Sequence, residues 1–429
     1  MSLRTYHDPL HGAIRLDRDD DADALAIDLI DTAPFQRLRR IRQLGTASLT
    51  FQGAESSRFT HSLGVLHIAR QALAHLRRQA PELAAHRLCL QAAALLHDIG
   101  HAPFSHTGEE MFGLRHEHWS GQLIRDHPAL HDRLEAAQAG LADQVADLLE
   151  HGHHPCPAIA ALVSSQLDCD RLDYLLRDSH STGTSYGQLD LERILASLTL
   201  SPDGNLAVHP KGLMAVEHYL VVRQLMYRSV YNHRLNVVSA WLLCRVVASA
   251  RRLGPTQVAA DGPMGRWLWQ PEVLSIHDYL ANDDIRTGYH LQRWREEGPA
   301  ELADPCARLL DRRLPRAIDV SDRSSGERLE LLALARRLAG RSGLDPESCC
   351  GLELRSSRGY HPYKGGLRLW DGEQLQALEQ RSALVNTLAR SQETAWLIHP
   401  HQVSEALEQE CSRRRQGSGT QRHDGGSAA

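Results

Sequence analysis

The stretch LLHDIGHAPFSH (residues 95–106) sets three histidines and an aspartate around one glycine. Imidazole nitrogen beside carboxylate oxygen suits Mn, Fe, Ni or Zn better than Mg alone. Imidazole also titrates near neutrality, the range useful for moving protons. His97 and Asp98 are adjacent, so both reach one cation only where a helix ends and the backbone turns; Gly100 and Pro103 supply that turn. Two more ligands would complete an open octahedral site that keeps water. Taken alone, the pair reads more readily as a histidine capping the last carbonyls of its helix.

His61, in SSRFTHSLGVLH, is a second candidate at a helix start, and alone it reads as a capping or surface histidine. In SSQLDCDRLDYLLRDSHSTG (164–183), Asp170, Tyr174 and Asp178 recur every four residues and share one helical face, a plausible wall for a polar pocket. In the same stretch Asp168–Arg171 and Asp173–Arg177 read as surface ion pairs of little energetic consequence. EHGHHPCP (150–157) looks metal-like, but its prolines and lack of periodicity make it a solvated loop before a second metal site.

Helices must position these groups. In 58–79, Leu63, Leu66, Ala69, Leu73 and Leu76 recur at three- and four-residue steps, and Pro81 interrupts the run. ELAAHRLCLQAAALLHDIG gives a second, strongly apolar helix closed by Gly100, which puts His97-Asp98 at the rim of a core. Helices are predicted near 117–126, 132–150, 158–178 and 190–198, and 213–253 reads as one long or two consecutive helices. LTLSPDGNLAVH (198–209) is the one clear hairpin, turning at Asp203-Gly204. Beyond 254 the signal weakens, with helices near 327–341 and 373–390 and short strands near 315–320 and 350–370. The tail 413–429 carries no large apolar residue and is expected to be disordered.

Apolar residues make up 42% and charged residues 24% of the 429, ordinary values for a soluble globular chain. A net charge of −5 gives no basic bias, so a general nucleic-acid binder is not expected. The eight cysteines are scattered without a C-x-x-C pair, which argues against a zinc ribbon or a disulfide framework and fits a reducing cytoplasm. The N-terminus has no apolar signal-peptide core, and the longest apolar run, NVVSAWLLCRVVASA, is interrupted by Arg245 short of the roughly 20 residues a membrane span needs. A cytoplasmic protein without membrane contact is expected.

Each chemical signal is weak alone, but their order is specific: H…HD…D is the signature of the HD-domain metal-dependent phosphohydrolases. Together DPLHG (8–12), IDTAPFQRLRRIRQLG (30–45), RFTHSLGV (58–65), HDIGHAPFSH (97–106), HEHWSG (116–121) and LDCDRLDYLLRDSHSTG (167–183) resemble the deoxynucleoside triphosphate (dNTP) triphosphohydrolases. These are bacterial relatives of the SAM-and-HD-domain dNTPase, and the resemblance covers about residues 4–250. It implies a mainly α fold. An HD helical bundle with an effector segment and a short β-hairpin would occupy 1–253, and an α-rich or mixed extension making oligomer contacts 254–412.

By that resemblance His61, His97, Asp98 and Asp170 hold a divalent metal (Mn, Fe, Ni, Zn or Mg), with Mg accompanying the triphosphate. Water would attack the α-phosphate, giving deoxynucleoside and tripolyphosphate. His116 matches the histidine that protonates the leaving 5′-oxygen, His118 ranking below it, while His101 and His106 line the phosphate side. Arg58, Arg171 and Arg223 match phosphate contacts, with Arg171 standing where relatives often carry Lys. Gln43 and Asp178 match positions that bind the 3′-hydroxyl, Leu44 and Tyr231 close the space of a 2′-hydroxyl, and Tyr174 lies under the sugar. Asp31, Gln36 and Arg39 match a guanine-reading allosteric site, and Arg193, Lys211 and Arg234 match its phosphate contacts near subunit interfaces. The resemblance therefore implies a dGTP or GTP effector coupled to a homotetramer or dimer. His7 replaces a common Asn, and Ala13 a His, which leaves the effector's identity open. Alternatives are an HD phosphohydrolase of nucleoside monophosphates, cyclic nucleotides or guanosine tetraphosphate, or a nucleotide sensor or single-stranded nucleic-acid binder.

Overall fold

A computed structural model describes residues 3–362 and 366–419. At its centre is the helix Arg58–Leu76, buried on nearly every face: Phe59, Leu63, Leu66, Ile68, Ala69, Leu73 and Leu76 are all inaccessible or nearly so. A helix apolar all round belongs inside a bundle, and this one packs against Arg87–Leu96 and Cys169–Thr182. Pro81 opens a short 3-10 turn, Pro81–His86, that leads into the second helix. That helix ends at Leu96, and the backbone turns through 97–101 on bonds from Ile99 N to Leu96 O (3.0 Å) and His101 N to Asp98 O (3.1 Å). Gly100 serves by close approach: a Cβ there would lie 2.3 Å from Ser120 N and 2.4 Å from His116 O, so glycine lets the turn dock on the helix His116–Asp126.

Two predicted helices are divided, and a third segment takes the two-helix form of its expectation. The 132–150 segment is Pro128–Ala137 and Leu141–His151, separated at Gly140, whose φ is +75°. The 158–178 segment is Pro157–Val163 and Cys169–Thr182, with Asp168 capping the latter. The 213–253 segment is Leu213–Met226 and Arg234–Leu253, joined by a wide π-type turn, Tyr227–Tyr231. Such widened turns often mark functional positions.

The expected hairpin is present as Leu198–Leu200 and Leu206–Val208, and it gains Arg368–Trp370 and Leu375–Ala377 to make a four-stranded sheet. A second hairpin, Leu3–Asp8 with Gly12–Asp17, was not expected at the DPLHG motif; its turn has Gly12 at φ +72°. Strands Arg316–Asp319 and Gly351–Ser357 fall where predicted and flank Gln392–His399, which was not. Ser325–Arg341 is helical behind a Ser324–Glu327 capping box. Residues 373–390 form the strand Leu375–Ala377 and two short helices, not one helix. Between 254 and 310 lie four helices that periodicity did not reveal: Gly262–Trp269, Ile276–Leu280, Asp284–Glu297 and Ala300–Leu310. The last helix, Ser404–Gly419, carries residues 413–419 of the tail read as disordered; 420–429 lie outside the described residues.

The core does not break at 253. One apolar cluster runs from Ile14 to Ile398 and takes in Trp267, Tyr279 and Trp294, while a smaller one gathers Val320, Leu331, Ala335, Leu397 and Leu407. Among the described residues no helix is long and apolar enough to cross a membrane.

Candidate active site

His61, from the first turn of the central helix, meets His97 and Asp98, from the end of the second, and Asp170, from the first turn of Cys169–Thr182. His61 Nε2 lies 3.0 Å from Asp170 Oδ1 and 3.2 Å from His97 Nε2. Asp98 closes the group at 3.7 Å from His61 Nε2 and 3.4 Å from His97 Nε2. Donors about 2.1 Å from one ion and at right angles to each other lie about 3 Å apart, so these spacings suit a single cation.

The hydrogen bonds behind the ligands fix their tautomers. His97 Nδ1 donates to the Ala94 carbonyl at 3.0 Å, and His61 Nδ1 donates to Asp173 Oδ2 at 2.7 Å. With Nδ1 committed, each ring has only Nε2 to offer, and both Nε2 atoms face the same point, where a cation can take the place of a proton. The cluster's preference for positive charge is visible in the rings. Burial opposes charge on His61, but bonds to Asp170 and Asp173 outweigh it and lift the ring to about 10. Burial also works against the Asp98 carboxylate, yet Arg58, His97 and His101 hold it well below the ordinary range.

Asp173 was read as half of a surface ion pair, and the structure corrects this. Its side chain is 0% exposed and pairs with Arg177 Nε at 2.7 Å and His11 Nε2 at 2.6 Å. Arg177 in turn reaches Asp8 Oδ2 at 2.9 Å, so the N-terminal hairpin braces the metal-side histidine from behind. Gly64 makes this possible, because a Cβ there would strike Asp173 Oδ1. Asp168 is likewise buried, its Oδ1 capping Arg171 N at 2.8 Å and its Oδ2 accepting from Ser165 N at 2.9 Å.

A second group stands beside the first. His101 Nε2 is 3.1 Å from Asp98 Oδ1, and the His101 ring stacks on His116 with centroids 4.0 Å apart. His116 Nδ1 bonds Glu109 Oε1 at 2.5 Å, which leaves Nε2 as the atom able to exchange a proton. Burial raises Glu109 less than His106 and His116 lower it, so it stays ionised. Burial, with Arg58 and His116 adding to it, keeps His101 neutral. His106 touches Glu109 at 3.2 Å, but its side chain is 70% exposed. His118 is exposed and lies against Trp119. Glu109 was missed because a glutamate within a seven-residue helix carries no pattern; its i+7 spacing to His116 was the available signal.

The other candidates divide by location. Arg58 is buried, bonding Asp98 Oδ2 at 2.7 Å and Ser105 Oγ at 2.9 Å. Arg171 and Arg223 line a cavity of about 1120 Å³ shared with His153, His154, Asn205 and His361, and the Nε atom of each arginine is buried without a partner. The 150–157 segment is thus a loop after the helix ending at His151, and it walls this cavity. Tyr174 lies edge-on to Tyr231 at 6.0 Å, and Tyr231 donates to Asp178 Oδ2 at 2.9 Å. Asp178 Oδ1 and Gln43 Oε1 are buried and unpartnered, and Leu44 is half-buried. Burial pushes Asp178 up to about 7 against the lowering bond from Tyr231.

Away from these groups, Gln36 Oε1 accepts from Arg39 Nε at 2.8 Å, Asp31 pairs with Arg4, and Arg39 lies over the Phe59 ring. Arg193 bonds the Lys211 carbonyl at 2.8 Å, and Arg234 is exposed at the start of its helix.

Residues 58–178 match the HD domain, and residues 189–258 match the HD-associated region. The Bacillus subtilis protein YwfO, itself uncharacterized, is 34% identical over 91% of this chain and 90% of its own length. The chicken (Gallus gallus) deoxynucleoside triphosphate triphosphohydrolase SAMHD1 is 28% identical over 54% of this chain and 43% of its own. The crystal structure of a Bacteroides thetaiotaomicron phosphohydrolase superposes with a TM-score of 0.81 at 24% identity, covering 93% of this chain and 100% of that one, a likeness of fold. With the H…HD…D residues brought together in space and both HD regions matched, the chain belongs to the HD-domain phosphohydrolase family.

Proposed function

We propose that the chain hydrolyses dNTPs to a deoxynucleoside and tripolyphosphate. The observation that carries this reading is one stretch of helix. Asp170 faces the metal ligands, while its neighbour Arg171 lines the arginine-bearing cavity that also holds Arg223, so a reacting phosphorus and a chain of further phosphates have adjoining places. A single phosphate has no use for that second space, whereas a triphosphate does.

A divalent cation held by His61, His97, Asp98 and Asp170 would supply Lewis-acid activation of the attacking water and neutralise charge at the α-phosphate. The chain's own groups do the rest. Water adds to the α-phosphorus and gives up one proton to solvent, the bond to the 5′-oxygen breaks with its electron pair passing to that oxygen, and His116 Nε2 delivers a proton there and regains one from solvent. Glu109, bonded at Nδ1, orients the His116 ring so that Nε2 is left for the transfer. The unpartnered Nε groups of Arg171 and Arg223 are donors for phosphate oxygens, and Arg58 secures Asp98. Asp178 Oδ1 and Gln43 Oε1 are acceptors for the sugar 3′-hydroxyl, and Tyr231, fixed on Asp178, stands with Leu44 where a 2′-hydroxyl would crowd.

The reading extends to an effector nucleotide at Asp31, Gln36 and Arg39, joined across subunits to Arg193, Lys211 and Arg234 in a homo-oligomer. The scattered cysteines, none in a C-x-x-C pair, support a reducing, cytoplasmic setting. The test is to incubate the purified protein with dATP and Mn or Mg, with and without dGTP, and to separate the products. Deoxyadenosine with tripolyphosphate is expected; orthophosphate or pyrophosphate release refutes the reading.

A further inference from the structure

Phe104 and Ser105 sit at φ +61° and +59°, a left-handed conformation that costs a non-glycine residue and persists only when its surroundings impose it. What imposes it comes from beyond both HD-matched regions. Asp284, the first residue of the helix Asp284–Glu297, accepts from Phe104 N at 2.7 Å through one oxygen and from Arg42 N at 2.9 Å through the other. The fully buried Tyr279 donates its hydroxyl to the Gly100 carbonyl and stacks on Trp119 at 3.9 Å. Buried Arg37 ties the His101 carbonyl to the Asn282 carbonyl, both at 2.9 Å. From the loop the bonds run inward: Ser105 donates to the Arg42 carbonyl and accepts from Arg58 Nε, and Arg58 holds Asp98.

We propose that Tyr279–Asp284 is a positioning element for the 98–106 loop, with Asp284 the residue that locks Phe104–Ser105 and so sets Arg58, Asp98 and His101. The segment's role is then part of the reaction itself, beyond the oligomer contacts expected of the C-terminal region. Without Asp284 the buried Phe104 N–H and the part-buried Arg42 N–H lose their acceptor and the left-handed pair is free to relax, shifting His101 and Arg58. Asp284 touches no reacting group, so its effect is on geometry and passes through the loop.

The inference rests on the dNTPase reading for its kinetic arm, and hydrogen exchange supplies an arm that does not. Full-length Asp284→Ala and Asp284→Asn are compared with wild type by exchange at 98–106 and by turnover of dATP with metal loaded. In Asp284→Ala faster exchange across 98–106 is expected, with the 58–76 helix unchanged and kcat lower by roughly 10²-fold at similar KM with metal in excess. Asp284→Asn keeps one acceptor oxygen and recovers part of both. Tyr279→Phe, which removes one hydroxyl, carries the same readouts should Asp284→Ala fail to fold. Unchanged loop exchange overturns the proposal, and so does a loosened loop with wild-type kcat. A wild type inert toward every dNTP overturns the dNTPase reading instead, while loop exchange still decides the role of Asp284.

Discussion

Asp178→Asn is expected to make the protein more stable at alkaline pH while impairing it. Asp178 is 2% exposed, one of its oxygens accepts from Tyr231, and the other has no partner. Burial raises its pKa from 3.8 to about 7. In the unfolded chain the carboxyl ionises near 3.8, whereas in the native state it holds its proton until about 7. Native stability therefore falls as pH rises through that window and is level above it. A rise of roughly three pH units at ~1.4 kcal/mol each amounts to ~4 kcal/mol. The asparagine variant lacks this titration. Its own unpaired amide adds an offset of about 1–3 kcal/mol that does not depend on pH, so the slope is the signature. Urea unfolding in EDTA, which keeps metal release out of the transition, should show the variant gaining ~3–4 kcal/mol on wild type between pH 4 and pH 8, nearly all below pH 7. On the dNTPase reading turnover should also fall in this variant, because an amide keeps one acceptor oxygen where Tyr231 and the sugar hydroxyl need two. A stability difference that is flat with pH refutes the assignment of Asp178 as a buried, ligand-seeking carboxylate.

Asp98→Ala should lose bound metal and activity together, checked by metal analysis of the purified variant. His116→Ala should retain metal and substrate yet lose turnover by roughly 10²–10⁴-fold, and Glu109→Gln, which leaves the ring less firmly held, should show a smaller loss. A fully active His116→Ala moves the proton delivery to another histidine. Asp173→Asn should weaken metal binding by about 10–100-fold without touching a ligand, since it frees the ring of His61; titration with Mn reads this directly.

The proximity of His61, His97, Asp98 and Asp170 was legible because they lie in dense, ordered stretches carried by helices whose apolar periodicity is plain. The supports were not. Asp173 and Arg177 have the spacing of any exposed i,i+4 pair, and only the small Gly64 on the facing helix turns them inward. Tyr279 and Asp284 act through hydrogen bonds to a backbone some 180 residues away, which no local pattern encodes. Of the helices in 254–310, Gly262–Trp269 and Ile276–Leu280 are too short to show a period, Asp284–Glu297 is dominated by polar residues, and Ala300–Leu310 is interrupted in sequence by Pro305. The N-terminal hairpin was hidden by its own motif: DPLHG supplies Asp8 and His11 to the Arg177–Asp173 network and also makes the turn.

The central claim is that water attacks the α-phosphorus of a dNTP and the deoxynucleoside leaves intact. Hydrolysis of dATP in ¹⁸O-water with mass analysis of both products tests it directly. The account predicts one ¹⁸O in tripolyphosphate and none in deoxyadenosine; label in orthophosphate, pyrophosphate or a nucleotide product contradicts it.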